Sequence, residues 1–110
     1  MKITQPVMLI MNNLPSHEVL NPILEKDIKA AGDITGGRSA AKCYRTRWDM
    51  HEVYPSFKKL TDAVLKVVKE ACGPSTDEHG RPKDYILRTH DSWGLIYKKG
   101  DITNAHHHFP

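Results

Sequence analysis

An amphipathic pattern between Ser56 and Gly73 constrains the fold of this chain more than any other feature. Apolar residues recur there at helical spacing and form one stripe: Phe57, Leu60, Val64, Val67, Val68 and Ala71. Lysines lie largely away from that stripe, Ser56 offers an N-cap, and Gly73 followed by Pro74 ends the pattern. The sequence therefore predicts a helix over residues 57–72 that packs its stripe on another layer.

A shorter helix and four strands are predicted around this helix. The shorter helix covers residues 22–31, with Ser16 or Asn21 as its cap, Pro22 in its first turn and Gly32 after its end. The strands are predicted over residues 3–11, 40–50, 85–90 and 93–97. This order indicates an α/β (α+β) domain in which two helices pack on a mainly antiparallel sheet.

Two segments invite an interpretation as anion sites. The glycine-rich residues 33–39 follow a helix and precede a strand, whereas a phosphate loop follows a strand and opens a helix, so we predict an ordinary loop there. Arg45 and Arg47 share one face of the strand over residues 40–50. They either bind a carboxylate or phosphate, which suits the arginine fork, or are simply solvated.

Composition bounds the class of protein. The chain has 110 residues, which fit one domain spanning residues 1–110, and its 39% hydrophobic and 26% charged content is ordinary for a globular protein. A net charge of +3 without a run of like charges argues against nucleic acid as the partner. No apolar stretch is long enough for a membrane span. Cys43 and Cys72 have no metal-knuckle spacing, so both are predicted to be reduced, buried thiols in the cytoplasm.

Three consecutive histidines follow the last predicted strand and a Gly100-Asp101 turn. If residues 104–109 are extended, His106 and His108 point to the same face about 7 Å apart, and His107 points the other way. A remnant of an affinity tag is disfavoured, because Phe109 and Pro110 follow without a linker. Two interpretations stay open. The histidines are surface residues at the end of a strand, or they are ligands for iron, copper, nickel or zinc.

The whole of residues 92–110 resembles one known family. Ser-Trp before an apolar strand, Tyr97, the Gly100-Asp101 turn and the His-x-His pair are similar to the 2-oxoglutarate- and iron(II)-dependent oxygenases found in bacteriophages. The Asn21-Pro22 helix start, the segment around Trp48 and the Phe57-Lys58-Lys59-Leu60 helix are similar as well.

The resemblance implies a fold and a metal site. The sheet would be the first part of a double-stranded β-helix (jelly roll), with Trp93 and Tyr97 in its core. His106 and His108 would be ligands of Fe(II), with 2-oxoglutarate as co-substrate and oxygen as oxidant. Typical members carry His-x-Asp or His-x-Glu here, so a histidine at position 108 leaves the site without that carboxylate.

The resemblance also implies groups that residues 1–110 do not supply. The second metal-binding histidine and the arginine for 2-oxoglutarate lie downstream of this motif in the family, so we expect the chain to be the N-terminal part of a longer oxygenase-like domain. The alternative is a non-catalytic structural component of a phage particle, which contacts phage structural proteins or its own copies. Either protein would lie in the host cytoplasm or in the virion.

Overall fold

A computed structural model describes residues 9–32 and 41–106 of the chain. Within these ranges the helices are α1 (His17–Ala30), α2 (Met50–Val53) and α3 (Pro55–Cys72). The strands are two residues long each: β1 (Ala41–Lys42), β2 (Tyr44–Arg45), β3 (Ser75–Thr76), β4 (Pro82–Lys83), β5 (Leu95–Ile96) and β6 (Ile102–Thr103). The predicted mixture of helices and antiparallel strands is confirmed. Residues 3–8 of the first predicted strand and the loop over residues 33–39 lie outside the described residues.

The strands form three separate two-stranded antiparallel sheets rather than one continuous sheet within the described ranges. β1 pairs with β6, and β2 pairs with β5. Lys42 lies opposite Ile102, but Tyr44 lies opposite Ile96. The segment between β5 and β6 is therefore four residues longer than the segment between β1 and β2. Those residues are accommodated by the predicted Gly100-Asp101 turn, in which the backbone N–H of Asp101 donates to Lys98 O at 2.9 Å.

The long helix is confirmed, but its first turn differs from the prediction. α3 begins at Pro55, and Tyr54 is its N-cap. Ser56 lies inside the helix, is buried, and donates its hydroxyl to the Asp27 carboxylate of α1 at 2.5 Å. The helix ends at Cys72, and Gly73 follows with a positive φ of 64°. The hydrogen bond between Ser56 and Asp27 joins α1 to the start of α3.

The shorter helix is also confirmed and is longer than predicted. α1 begins at His17, with Ser16 as N-cap and Pro22 inside the helix rather than in its first turn. Two of its apolar residues, Val19 and Ile23, are exposed. The described part of the chain therefore buries α1 only in part.

The predicted strand over residues 40–50 is wrong at its end. Its last residue begins α2, and Met50 is completely buried. Two backbone N–H groups at the start of α2 donate to Ser92: that of Met50 to the Ser92 carbonyl at 3.2 Å, and that of His51 to Ser92 Oγ at 2.8 Å. Helix starts leave such donors unsatisfied, so a residue 41 positions away supplies the acceptor that makes a helix possible here.

The predicted strand over residues 85–90 has no paired neighbour in the part of the chain that the structure describes, and no strand is assigned over residues 84–91. A hairpin instead occupies the preceding segment, where β3 pairs with β4. Its turn is held by Asp77, whose Oδ1 accepts from the backbone N–H of His79 at 2.9 Å and of Arg81 at 3.0 Å. Aspartate commonly stabilises turns in this way.

The buried residues of the core come from α2, from the start of α3 and from the segment between β1 and α2. The apolar ones among them are Met50, Phe57 and Cys43. Thr46 is also buried and joins the β2–β5 ladder, since its backbone N–H donates to Gly94 O at 3.0 Å and its Oγ1 accepts from the Gly94 N–H at 2.8 Å. The expectation that both cysteines are buried holds for Cys43 only, because Cys72 is exposed at the end of α3.

Candidate functional site

His106 lies three residues beyond β6, at the end of the ladder that begins with β1. Its side chain is exposed, and its Nδ1 lies 2.9 Å from the carbonyl oxygen of Asn104. A carbonyl oxygen can only accept, so Nδ1 carries the proton and donates it. In neutral imidazole the lone pair is then on Nε2, which is how many metal-binding histidines are oriented in proteins.

The rest of the expected metal site is only partly described. His108, the second expected ligand, lies outside the described residues. Within residues 9–32 and 41–106, no three His, Cys, Asp or Glu side chains are arranged to hold a metal ion. His106 thus fits the chemistry of a single ligand, but the described residues do not fit a complete iron site.

Arg45 and Arg47, which were predicted to share one face of a strand, do not form a common anion site. Arg45 is buried, and its guanidinium lies 4.7 Å from the centre of the Trp48 ring. Arg47 is half exposed and binds both carboxylate oxygens of Asp49, through Nε and Nη2. This hydrogen bonding, with the attraction between the charges, raises the pKa of Arg47 and lowers the pKa of Asp49 below its usual value of 3.8. The fork of Arg47 already has an acceptor.

An aromatic pair joins the two halves of the chain at this place. The rings of Trp48 and Trp93 lie 4.7 Å apart at an angle of 48°. Trp93 is half buried there, as expected for a packing residue, but Trp48 remains 44% exposed. Tyr97, the other residue expected in a core, is 49% exposed, so that expectation is wrong within the described part of the structure.

The pair of His51 and Ser92 was not found from the sequence. Ser92 Oγ lies 2.6 Å from His51 Nδ1 and also accepts from the His51 backbone N–H. A serine beside a histidine can act as a nucleophile when a third group orients the imidazole ring and backbone N–H groups are placed to stabilise the oxyanion. The hydrogen bonds at this pair instead satisfy the first turn of α2.

The sequence also did not reveal a shallow cleft of about 470 Å³ between the end of α3 and the β3–β4 hairpin. Tyr85 forms one wall, and its hydroxyl donates to Gly73 O at 2.6 Å. The Lys69 ammonium lies 5.5 Å from the centre of the same ring. The lysine and the hydroxyl are therefore used to hold the hairpin against α3.

Comparison with known proteins identifies no relative of this chain. No protein-family model matches the chain, and neither a curated protein nor a solved structure gives a match. No helix in the described ranges is long and apolar enough to cross a membrane.

Proposed function

We propose that this chain is part of a 2-oxoglutarate- and iron(II)-dependent oxygenase domain, in which His106 and His108 belong to the metal site. The observation that carries the proposal is the Nδ1–H hydrogen bond of His106 to Asn104 O at the end of a paired strand. This hydrogen bond leaves the lone pair on Nε2, the atom that would bind the metal, and restrains the ring. The resemblance of residues 92–110 to the phage oxygenases supplies the rest of the argument.

The antiparallel ladder supports a wider jelly roll. β1 and β2 run in one direction and β5 and β6 in the other, with the turn over residues 98–101 between the last two. In the proposal these strands are the first part of a double-stranded β-helix, residues 1–110 are the N-terminal part of the domain, and further strands complete the sheet. The protein acts in the cytoplasm of the host cell.

The residues of this chain would bind and orient rather than react. His106 and His108 would help to hold Fe(II), and the chemistry that the metal would supply with 2-oxoglutarate and oxygen is oxidation of a substrate C–H bond, with the co-substrate converted to succinate and carbon dioxide. Asn104 O holds the imidazole of His106 in one tautomer. Additional ligands must complete the site, since the described residues do not hold three.

Anaerobic titration of the full chain with Fe(II) tests the ligand role. His106→Ala should weaken iron binding and leave the far-ultraviolet circular dichroism spectrum unchanged, because the side chain is exposed and contributes little packing. His90→Ala is the matched control, since the His90 side chain is 93% exposed and far from the histidine motif in sequence. Equal iron binding by parent and His106→Ala would contradict the proposal.

A specific observation favours a second function, that of a non-catalytic component of a phage particle. Within the described ranges only three apolar side chains are buried. Twelve large apolar ones are exposed, among them Val19, Ile23, Val64 and Val68 on the two long helices. Exposed apolar surface on this scale is typical of proteins that bind partners, here phage structural proteins or further copies of the chain. The virion would then be its location.

Mass spectrometry of purified virions separates the two functions. Stoichiometric copies of the chain in the particle would support the structural role. Absence from the particle, together with a visible charge-transfer band when Fe(II) and 2-oxoglutarate are added anaerobically to the natural protein, would support the oxygenase.

A further inference from the structure

Residues 84–90, which we call the open strand, have the character of a strand, but no strand of the described ranges lies beside them. No helix, turn or bend interrupts them. Their burial alternates: Tyr85, Leu87 and Thr89 are half buried, and the residues between them are exposed. Such alternation is typical of extended backbone with one face on the protein. Ile86, on the outer face, is 80% exposed.

Within the described ranges, the backbone of the open strand lacks the hydrogen bonds of a sheet. Residues 86–89 make no backbone hydrogen bond with any part of the chain that the structure describes. The sequence of these residues, Ile-Leu-Arg-Thr, is rich in residues that favour strands. An edge of this kind is a template for pairing with another strand.

The exposed face of the open strand is complementary to itself. When two copies run antiparallel with Ile86 opposite Ile86, each Asp84 lies opposite Arg88 of the other copy. Residues directly opposite in an antiparallel pair lie on the same face, about 5 Å apart. The register thus places one apolar contact at the centre and an acid–base pair on each side of it.

Neighbouring positions are compatible with this register. Tyr85 lies opposite Leu87, and Lys83 lies opposite Thr89, so no like charges meet. Asp84 is the only acidic residue and Arg88 the only lysine or arginine within residues 84–90, so only this antiparallel register places the two opposite each other. With Leu87 opposite Arg88, Asp84 would instead lie opposite Asp91. Charge complementarity therefore selects the register centred on Ile86.

We propose that the open strand pairs antiparallel with the open strand of a second copy of this chain, in the register centred on Ile86, to form a two-fold symmetric dimer. Residues 84–88 of the two copies would form about four to six backbone hydrogen bonds, depending on whether the central pair is a hydrogen-bonded one. The same patch serves both copies, as two-fold symmetry requires. The inference does not depend on the metal site.

Sedimentation velocity of the full chain over a wide range of concentration tests the pairing. The parent should change from monomer to dimer as its concentration rises. Arg88→Asp places two acidic residues opposite each other on both sides of the axis and should weaken dimerisation roughly tenfold or more. The double variant with Asp84→Arg and Arg88→Asp restores the opposite charges and should restore the dimer.

Lys99→Asp is the control for a change of net charge, since Lys99 lies in the turn before β6 and outside the open strand. It should dimerise as the parent does. A parent that stays monomeric at all concentrations would overturn the proposal. So would a dimer that Arg88→Asp leaves intact, or one that the charge exchange fails to restore, because association would then use another surface or not exist.

Discussion

Replacing Gly94 by alanine tests the contact between α1 and the ladder. A methyl group at this position would lie 2.6 Å from Ile28 Cγ1, 2.9 Å from Cδ1 and 3.0 Å from Cγ2. Carbon atoms in favourable contact lie about 3.5–4.0 Å apart, so the shortest distance is about 1 Å too small. The backbone has little freedom to retreat, because both its N–H and its carbonyl are bonded to Thr46.

The magnitude follows from which atoms can move. The φ angle of Gly94 is outside the left-handed region, so alanine adds no backbone strain, and the cost is the displacement of Ile28 alone. Overpacking a well-packed site costs about 1–3 kcal/mol. Ile28 is half buried and has some room to shift, so we expect a loss of about 1–2 kcal/mol in the free energy of unfolding.

Urea denaturation in a double-mutant cycle measures this loss. Ile28→Ala deletes all three atoms that the new methyl group meets, so Gly94→Ala should cost little or nothing in that background. The coupling between the two substitutions should therefore be about 1–2 kcal/mol. An equal cost of Gly94→Ala in both backgrounds would refute the close approach of Ile28.

Three further substitutions test a core side chain, a helix–helix hydrogen bond and the Arg47–Asp49 ion pair. Ser56→Ala should lower the free energy of unfolding by about 1–3 kcal/mol in urea denaturation, because it leaves the Asp27 carboxylate without its buried donor; an unchanged midpoint would contradict the helix contact. Met50→Ala should lower it by about 2–5 kcal/mol, since the side chain is completely buried, and a loss like that of a surface substitution would show that the site is not core. Asp49→Asn should lower stability near neutral pH but not in strong acid: the Arg47 hydrogen bond depresses the folded pKa of Asp49, so the stabilisation is present above the ordinary value of 3.8 and is lost as pH falls through the lower folded value. A constant difference between variant and parent across that range would contradict this coupling.

The elements that the sequence predicted correctly depend on neighbours along the chain. The helix α3, its end at Gly73 and the turn at Gly100-Asp101 each follow from residues within a few positions, through helical spacing or a positive φ. The order of apolar and polar residues is then enough to predict the element. The predicted burial of the whole stripe is not confirmed, because Val64 and Val68 are exposed.

The elements that the sequence predicted wrongly depend on distant partners. α2 exists because Ser92 accepts its first N–H groups, and alternation of residues in the sequence gives no sign of this. The strand predicted over residues 85–90 has the right residue types, but a strand also needs a neighbour, which the described part of the chain does not provide.

The candidate site divides in the same way. The strand at Leu95–Ile96 and the turn at Gly100-Asp101 could be predicted, because both are local features. The strand β6, which comes between this turn and His106, was not predicted. The hydrogen bond to Asn104 that sets the tautomer depends on the backbone conformation after β6, which residue spacing does not reveal.

The central claim, that His106 binds metal through Nε2 while Nδ1–H stays on Asn104, is tested most directly by long-range ¹H–¹⁵N nuclear magnetic resonance of the histidine-labelled chain. Zn(II) serves as a diamagnetic ion that suits the same imidazole ligands. We expect a large shift of the His106 Nε2 resonance with Nδ1 still protonated, and no change at His90. Resonances of His106 that do not respond to Zn(II), or metal bound at Nδ1, would contradict the account.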